Sequence, residues 1–396
     1  MTTNALLFLS TNARQLYLPW KIRIRQWGVL PNPRGPTVLI TNHQHVDEGE
    51  IVYSRTFLRH THIPIVAVNS RRTFETGFFA ARVPWSAPLT RRLNPTALWL
   101  AFGLLPIENH LHSRALISLA EEFRRAHGDL PLSAILPDDV VEKLGLTGCS
   151  LAELWQPEHF ARAQAFVKLS NLKAPYRREA LETFRATMNA DIAAVVERVR
   201  AGATFYVTPE GDFSRDGTMH PMRNGLTDAV LPVAAPWLCA IAYDPFRGRR
   251  LSMLYRIVRP ARPEDLGASL AAARAITTTA LVAAFLSGAD GPFYAAAARE
   301  SVHAQLAALP ANVFVDPELQ RDPDGAVTEA LTVLVRLGTL AADGPRYVLT
   351  DRRTDARFPH IADMVTYQRN MLAETLSSAG RLAVGPSLAS PPQNGR

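Results

Sequence analysis

Apolar and polar positions along this chain change period several times, and each period assigns an element. Thr37–Thr41 (TVLIT) is a β-branched run behind a Pro/Gly turn and reads as a buried strand. Ile63–Val68 and Leu104–Ile107 read as further strands, and Ile117–Arg125 as a helix. Met188, Ile192, Val195 and Val199 recur at helical spacing within Phe184–Arg200, and Gly202 ends that helix. Phe205–Val207, Leu238–Ala242 and Leu251–Ile257 return to strand. Residues 129–180 hold Pro131, Pro137, Pro157 and Pro175 without a regular period, so they read as an insertion or subdomain, a candidate lid.

Beyond residue 262 the pattern turns helical, with an Ala-rich run over 268–309. Residues 326–350 read as helix, Gly338, then a strand pair around Gly344, like a small winged-helix tail. The alternation of strands and helices over 31–262 predicts an α/β fold, a mixed or mostly parallel sheet flanked by helices. A helical C-terminal region over 263–383 follows, and 384–396 read as a disordered terminus. Residues 1–30 read as an amphipathic helical segment, in which Leu16, Leu18, Trp20, Ile22, Ile24 and Trp27 mix with Arg14, Lys21, Arg23 and Arg25. Such a segment suits a bilayer interface or the side of a domain.

Composition narrows the partners. Of 396 residues, 47% are hydrophobic and 20% charged, which is a globular balance. A formal net charge of +7 favours an anionic partner: nucleic acid, an acidic membrane surface or a phosphorylated substrate. Ala330–Leu340 carries only Arg336, too few basic side chains to read base edges, so no nucleic acid is expected. The two cysteines, Cys149 and Cys239, exclude a disulfide framework and a cysteine-rich zinc site, and they fit the cytoplasm. No secretory signal and no apolar run near the ~20 residues of a membrane span is read. Membrane contact is therefore expected to be peripheral, on the inner face.

The strongest chemical signal is Thr41-Asn42-His43-Gln44-His45-Val46-Asp47-Glu48. A histidine directly after a buried strand lies where α/β sheets bind ligands. Its imidazole can take a hydroxyl proton near neutral pH, and a carboxylate can orient it. Asp47 and Glu48, four and five residues on, both qualify. No GxSxG elbow accompanies the histidine, so the hydroxyl is the substrate's own. A second strand end, Thr208-Pro209-Glu210-Gly211-Asp212-Phe213-Ser214-Arg215-Asp216-Gly217, offers a glycine for close approach, a carboxylate and a hydroxyl. His43, His45 and Asp47 do not complete a ligand set, so no metal is expected.

These two motifs, in this order, resemble those of the glycerophospholipid acyltransferase superfamily, which includes glycerol-3-phosphate and lysophosphatidic acid acyltransferases. Asn42-His43 match its first motif, with Glu48 in the place of the family's aspartate and Asp47 one residue early. Pro209, Glu210, Gly211 and Ser214 match its third, with Asp212 and Phe213 replacing Thr-Arg; Arg215-Asp216-Gly217 and Met222-Arg223-Asn224-Gly225 continue it. The second motif corresponds to Gly103–Asn109, where Asn109 stands in place of an arginine. Thr277–Leu286, Leu331–Leu340 and Met364–Leu372 are similar to the tail of the larger glycerol-3-phosphate enzymes.

The resemblance implies a glycerolipid-acyltransferase fold and transfer of a fatty acyl group from acyl-CoA or acyl carrier protein to glycerol-3-phosphate or a lysophospholipid, in phospholipid biosynthesis. His43 is then the general base, with Glu48 or Asp47 behind it. Glu210, Gly211, Ser214, Arg215, Arg223, Arg71 and Arg72 bind substrate, the arginines as phosphate clamps. Amides near Gly211 are the oxyanion donors. No cofactor is needed beyond the acyl donor, and the partners are a membrane surface, the two substrates and possible carrier protein. The departures at Glu48, Asp212, Phe213 and Asn109 leave two other readings open: a non-catalytic lipid-binding protein, and a lysophospholipid-remodelling transferase or hydrolase.

Overall fold

A computed structural model describes residues 20–28, 30, 35–45, 48–49, 51–52, 55, 64–108, 112–222 and 224–383. The protein is α/β, with a mostly parallel, mixed seven-stranded sheet flanked by helices and a helical C-terminal region. The sheet strands are β1 (Ile22–Trp27), β2 (Thr37–Thr41), β3 (Ile65–Ser70), β4 (Leu104–Ile107), β5 (Thr204–Val207), β6 (Ala235–Asp244) and β7 (Leu251–Val258). The longer helices are α1 (Leu116–His127), α2 (Tyr176–Arg200), α3 (Leu266–Ala273), α4 (Thr278–Ser287), α5 (Ala295–Ala307), α6 (Pro323–Leu337) and α7 (Met364–Ala383). The described residues form two compact units: Pro64–Phe205, and the earlier residues together with those from Tyr206 on. This division differs from the expected boundary at residue 262, because α3 to α7 belong to the same unit as β6 and β7.

In the first unit β3 and β4 run parallel, from Ala67 opposite Leu104 to Ser70 opposite Ile107. Helix α1 buries Leu116, Ile117, Leu119, Ala120 and Phe123, a helical stripe. Against it pack Leu132, Ile135, Leu136, Leu146, Leu154 and Phe160. Residues 129–180 thus contribute to the core of this unit. Their prolines cut the chain into short turns, each of which still buries an apolar side chain, and this removes the period without removing the core. Helix α2 begins at Tyr176, earlier than its pattern suggests, because its first turns are charged and bury only Ala180 before Phe184.

In the second unit β2 runs parallel to β6, and β6 turns back into antiparallel β7. Strand β1 lies parallel to β7, from Ile22 opposite Leu251 to Trp27 opposite Arg256. This corrects the helical expectation for residues 22–27. Ile22 and Ile24 alternate with Arg23 and Arg25, a two-residue period that suits an edge strand, and the two arginines meet Glu318 and Asp316. The rest of the expected N-terminal segment, residues 1–19, and the terminus 384–396 lie outside the described residues.

The Ala-rich run divides where Thr277 caps α4, its hydroxyl accepting the Ala280 N–H at 3.2 Å. Gly338 ends α6 at φ +77°, and a hairpin of Leu340–Asp343 with Arg346–Leu349 follows around Gly344, as its pattern predicts. Among the described residues no helix is long and apolar enough to cross a membrane.

Candidate active site

The site begins where β2 stops. The last rung of the β2–β6 pairing sets Thr41 opposite Cys239. The Asn42 side chain then supplies the next rung itself. Its Nδ2 donates to the Ile241 carbonyl at 3.0 Å, and its Oδ1 accepts the Ile241 N–H at 2.7 Å. The main chain is thereby free to turn away without stranding a buried donor or acceptor. His43 is the first residue of that turn.

The His43 ring is 20% exposed, and its Nδ1 lies 3.0 Å from Oε2 of Glu48, which is fully buried. The Glu48 carboxylate also accepts the Gln44 N–H, at 2.8 and 3.0 Å to its two oxygens. Of the two candidate orienting carboxylates, Glu48 is the one described at the His43 ring; Asp47 lies outside the described residues. With Nδ1–H directed at a carboxylate, Nε2 is the basic nitrogen.

The second motif meets the first. Glu210, in the turn after β5, accepts the His43 N–H at 2.8 Å and the His220 N–H at 2.9 Å. The Ser214 N–H returns to the His43 carbonyl at 3.3 Å. Both main-chain groups of His43 are thus held by the 208–222 loop. Burial pushes the Glu210 carboxyl above its ordinary value, and the two N–H donors oppose that rise. Phe213 packs its ring 4.2 Å from that of His43, and on its other side stacks with His360 at 5.0 Å. Burial lowers the His360 imidazole below its ordinary value. The two aromatic neighbours in series restrict rotation of the His43 ring.

Helix α7 forms the support behind the loop. The Asn370 amide donates to the Asp216 carbonyl at 2.9 Å, and Glu374 accepts the Met219 N–H at 3.1 Å. A side chain on Gly217 would sit 2.0 Å from the Tyr367 carbonyl oxygen, so only glycine fits there. Glu374 also receives Arg274 at 2.6 Å, the largest fully buried side chain in the described chain. Neither Arg274 nor Glu374 was singled out in the sequence. The available signal was that Arg274 is the lone charge between Asp265 and Asp290, and an ion in an apolar run must find a partner.

The remaining predicted site residues divide between the 208–222 loop and the first unit. Ser214 is buried and its Oγ caps the turn by accepting the Gly217 N–H at 3.0 Å. The Gly211 N–H closes its own turn onto the Thr208 carbonyl at 3.2 Å, so that amide is not an outward oxyanion donor. Arg215 is exposed within the loop, and Arg223 and Asn109 lie outside the described residues. Arg71 and Arg72 belong to the first unit. There Arg71 pairs with Asp191, and Arg72 contacts Glu75, Gln164 and the Thr76 carbonyl. Among the described residues no group of three or more His, Cys, Asp or Glu side chains is arranged to hold a metal ion.

A scan of the chain against protein-family models gives no match, and a search of curated proteins finds none that matches.

Proposed function

We propose that this protein is an O-acyltransferase of the glycerophospholipid acyltransferase type. It moves a fatty acyl group from a thioester, acyl-CoA or acyl carrier protein, to the hydroxyl of glycerol-3-phosphate or a lysophospholipid. The observation that carries this reading is the buried Glu48 behind His43, joined through the His43 main chain to the Glu210 turn. In the proposed reaction His43 Nε2 removes the proton of the acceptor hydroxyl as its oxygen bonds to the thioester carbonyl carbon. Glu48 stabilises the imidazolium through Nδ1–H. The C–S bond then breaks, and the leaving thiolate takes the proton back from His43, which regenerates the base. Holding both substrates in one site can contribute about 7–11 kcal/mol beyond the base.

A membrane surface as partner draws support from the first unit. Its segment 82–100 leaves Trp85 83% and Leu89 88% exposed, with Leu93 and Leu100 exposed nearby. Arg82 and Arg92 are exposed in the same stretch. Exposed apolar side chains among cations suit an anionic bilayer interface.

The test is thiol release from an acyl thioester, measured with and without glycerol-3-phosphate. Acceptor-dependent release by the wild type, falling by ~10²–10⁴ in His43→Ala at unchanged melting temperature, is expected. Release that ignores the acceptor would move the reading to a hydrolase, and full activity in His43→Ala would end it.

A further inference from the structure

The loop before α7 brings another imidazole, that of His360, to the His43 turn. Residues 355–361 form two consecutive tight turns. The Phe358 N–H closes the first on the Asp355 carbonyl at 2.8 Å, and the Ile361 N–H closes the second on the Phe358 carbonyl at 3.0 Å. Three contacts fix this segment to the sheet and to the histidine turn. The Arg357 guanidinium, held by Asp355 at 2.6 Å, donates to the Pro245 carbonyl just past β6 at 2.8 Å. The Arg357 carbonyl accepts His45 Nε2–H at 3.0 Å. The buried Phe358 ring packs 5.2 Å from that of His45 and 5.3 Å from that of Tyr243. The segment is therefore a fixed platform, and half-buried His360 stands on it.

From that platform His360 touches both segments that set the His43 ring. Its ring stacks at 5.0 Å on Phe213, which packs 4.2 Å from His43. It also hydrogen bonds to the main chain of Gln44, the residue after His43. The Gln44 N–H is already given to Glu48, so the imidazole is the donor and the Gln44 carbonyl the acceptor. Nε2 of His360 is buried with no partner, which leaves Nδ1–H as that donor. A second proton on the ring would bury an N–H without an acceptor, a costly state. The ring is thereby kept neutral, although His43, His45 and Glu48 all lie within electrostatic reach of it. We propose that His360 is a positioning residue for the general base, fixing the His43 ring through Phe213 and the His43 turn through the Gln44 carbonyl. A neutral ring does this without adding a positive charge beside the imidazolium that forms on His43. The kinetic consequence rests on the acyl-transfer reading; the effect on the His43 ring does not.

NMR of the full chain with labelled histidines tests the ring without any substrate. The His43 Nδ1–H that faces Glu48 should give a downfield, slowly exchanging proton signal, assigned by its loss in His43→Ala. His360→Ala, which removes both contacts, should broaden or abolish that signal at unchanged melting temperature. His360→Phe keeps the stack on Phe213, and His360→Asn keeps a donor near the Nδ1 position, so each should retain part of it. In acyl transfer His360→Ala should lower kcat ~10–10²-fold with KM within about twofold, as expected when a reacting group is misplaced and binding is not. The kcat values of His360→Phe and His360→Asn should fall between those of His360→Ala and the wild type. A wild type without the downfield signal, or a signal as sharp in His360→Ala, overturns the proposal. So does a loss in His360→Ala that neither conservative variant relieves, or one matched by an equal fall in stability. If the wild type itself transfers no acyl group, that reading fails, and the NMR comparison still decides the part played by His360.

Discussion

Around His43 the buried carboxylates face hydrogen-bond donors, chiefly main-chain N–H groups, whereas in the first unit they face guanidinium groups. Glu48 holds the Gln44 N–H and the His43 ring, and Glu210 holds the N–H groups of His43 and His220. Main-chain donors are fixed in direction and carry no full charge. They aim a carboxylate without cancelling it, and its charge remains able to stabilise an imidazolium. In the first unit Arg71 meets Asp191, Arg72 meets Glu75, and Arg114 meets Glu122, Glu75 and Glu108. There the charges largely satisfy one another. The contrast shows that residue type within a motif assigns chemistry only once the partner is known.

The largest expected effect lies at the orienting carboxylate. Glu48→Gln puts an amide where the Gln44 N–H and His43 Nδ1–H both need an acceptor, and acyl transfer should fall by ~10²–10⁴ in kcat. Arg71→Gln, removing a part-buried ion pair, should leave kcat within about twofold and instead lower stability by about 1–3 kcal/mol, since Asp191 loses its partner. Parallel kcat and urea-unfolding measurements decide this, and equal losses of kcat at the two sites would erase the contrast.

An intermediate effect lies at Glu108, whose contact with Arg114, at 3.8 Å, does not offset its burial. Burial pushes it from its ordinary 4.5 up to about 7, against the opposing pull of Arg114. The folded protein therefore keeps a proton that the unfolded chain has released. This group's stabilising contribution is complete below pH 4.5 and is lost as pH rises to about 7, a swing of roughly 3 kcal/mol. Glu108→Gln should flatten that part of the profile, so unfolding free energies at pH 5 and pH 8 should differ less in the variant than in the wild type. An unchanged difference would show that Glu108 is already ionised at pH 5.

The smallest change in stability is expected at the apolar surface of the first unit. Trp85→Ser with Leu89→Ser should alter unfolding by less than about 0.5 kcal/mol, because neither side chain is buried. The same pair should lose most of its co-sedimentation with anionic vesicles, while zwitterionic vesicles bind both proteins weakly. Retained binding to anionic vesicles would remove this surface from the membrane reading.

Thr37–Thr41 was legible because a buried strand carries a short β-branched run behind a clear turn, and Leu104–Ile107, only half-buried, also has the bounds its short apolar pattern predicts. Strand β1 was not, since alternating isoleucine and arginine on an edge also suits a basic amphipathic helix. The histidine and its acidic turn were legible because each closes a strand. The choice of Glu48 was not, because a one-residue difference in a tight turn is decided by where the Gln44 N–H points. Asn42 illustrates a further limit: its amide completes a sheet rung with Ile241, a partner set by topology and not by local spacing. Arg274 with Glu374 shows the same at a separation of 100 residues.

Gly217 lies against the main chain of Tyr367, and the loop it belongs to is tied to Asn370 and Glu374. Chains are synthesised from the N-terminus, and segments made early fold before later ones arrive. The histidine thus waits through about three hundred further additions before the backing of its loop exists. A nascent chain stopped short of α7 carries His43, Glu48 and the Glu210 turn, but not the Tyr367, Asn370 and Glu374 contacts that back that turn.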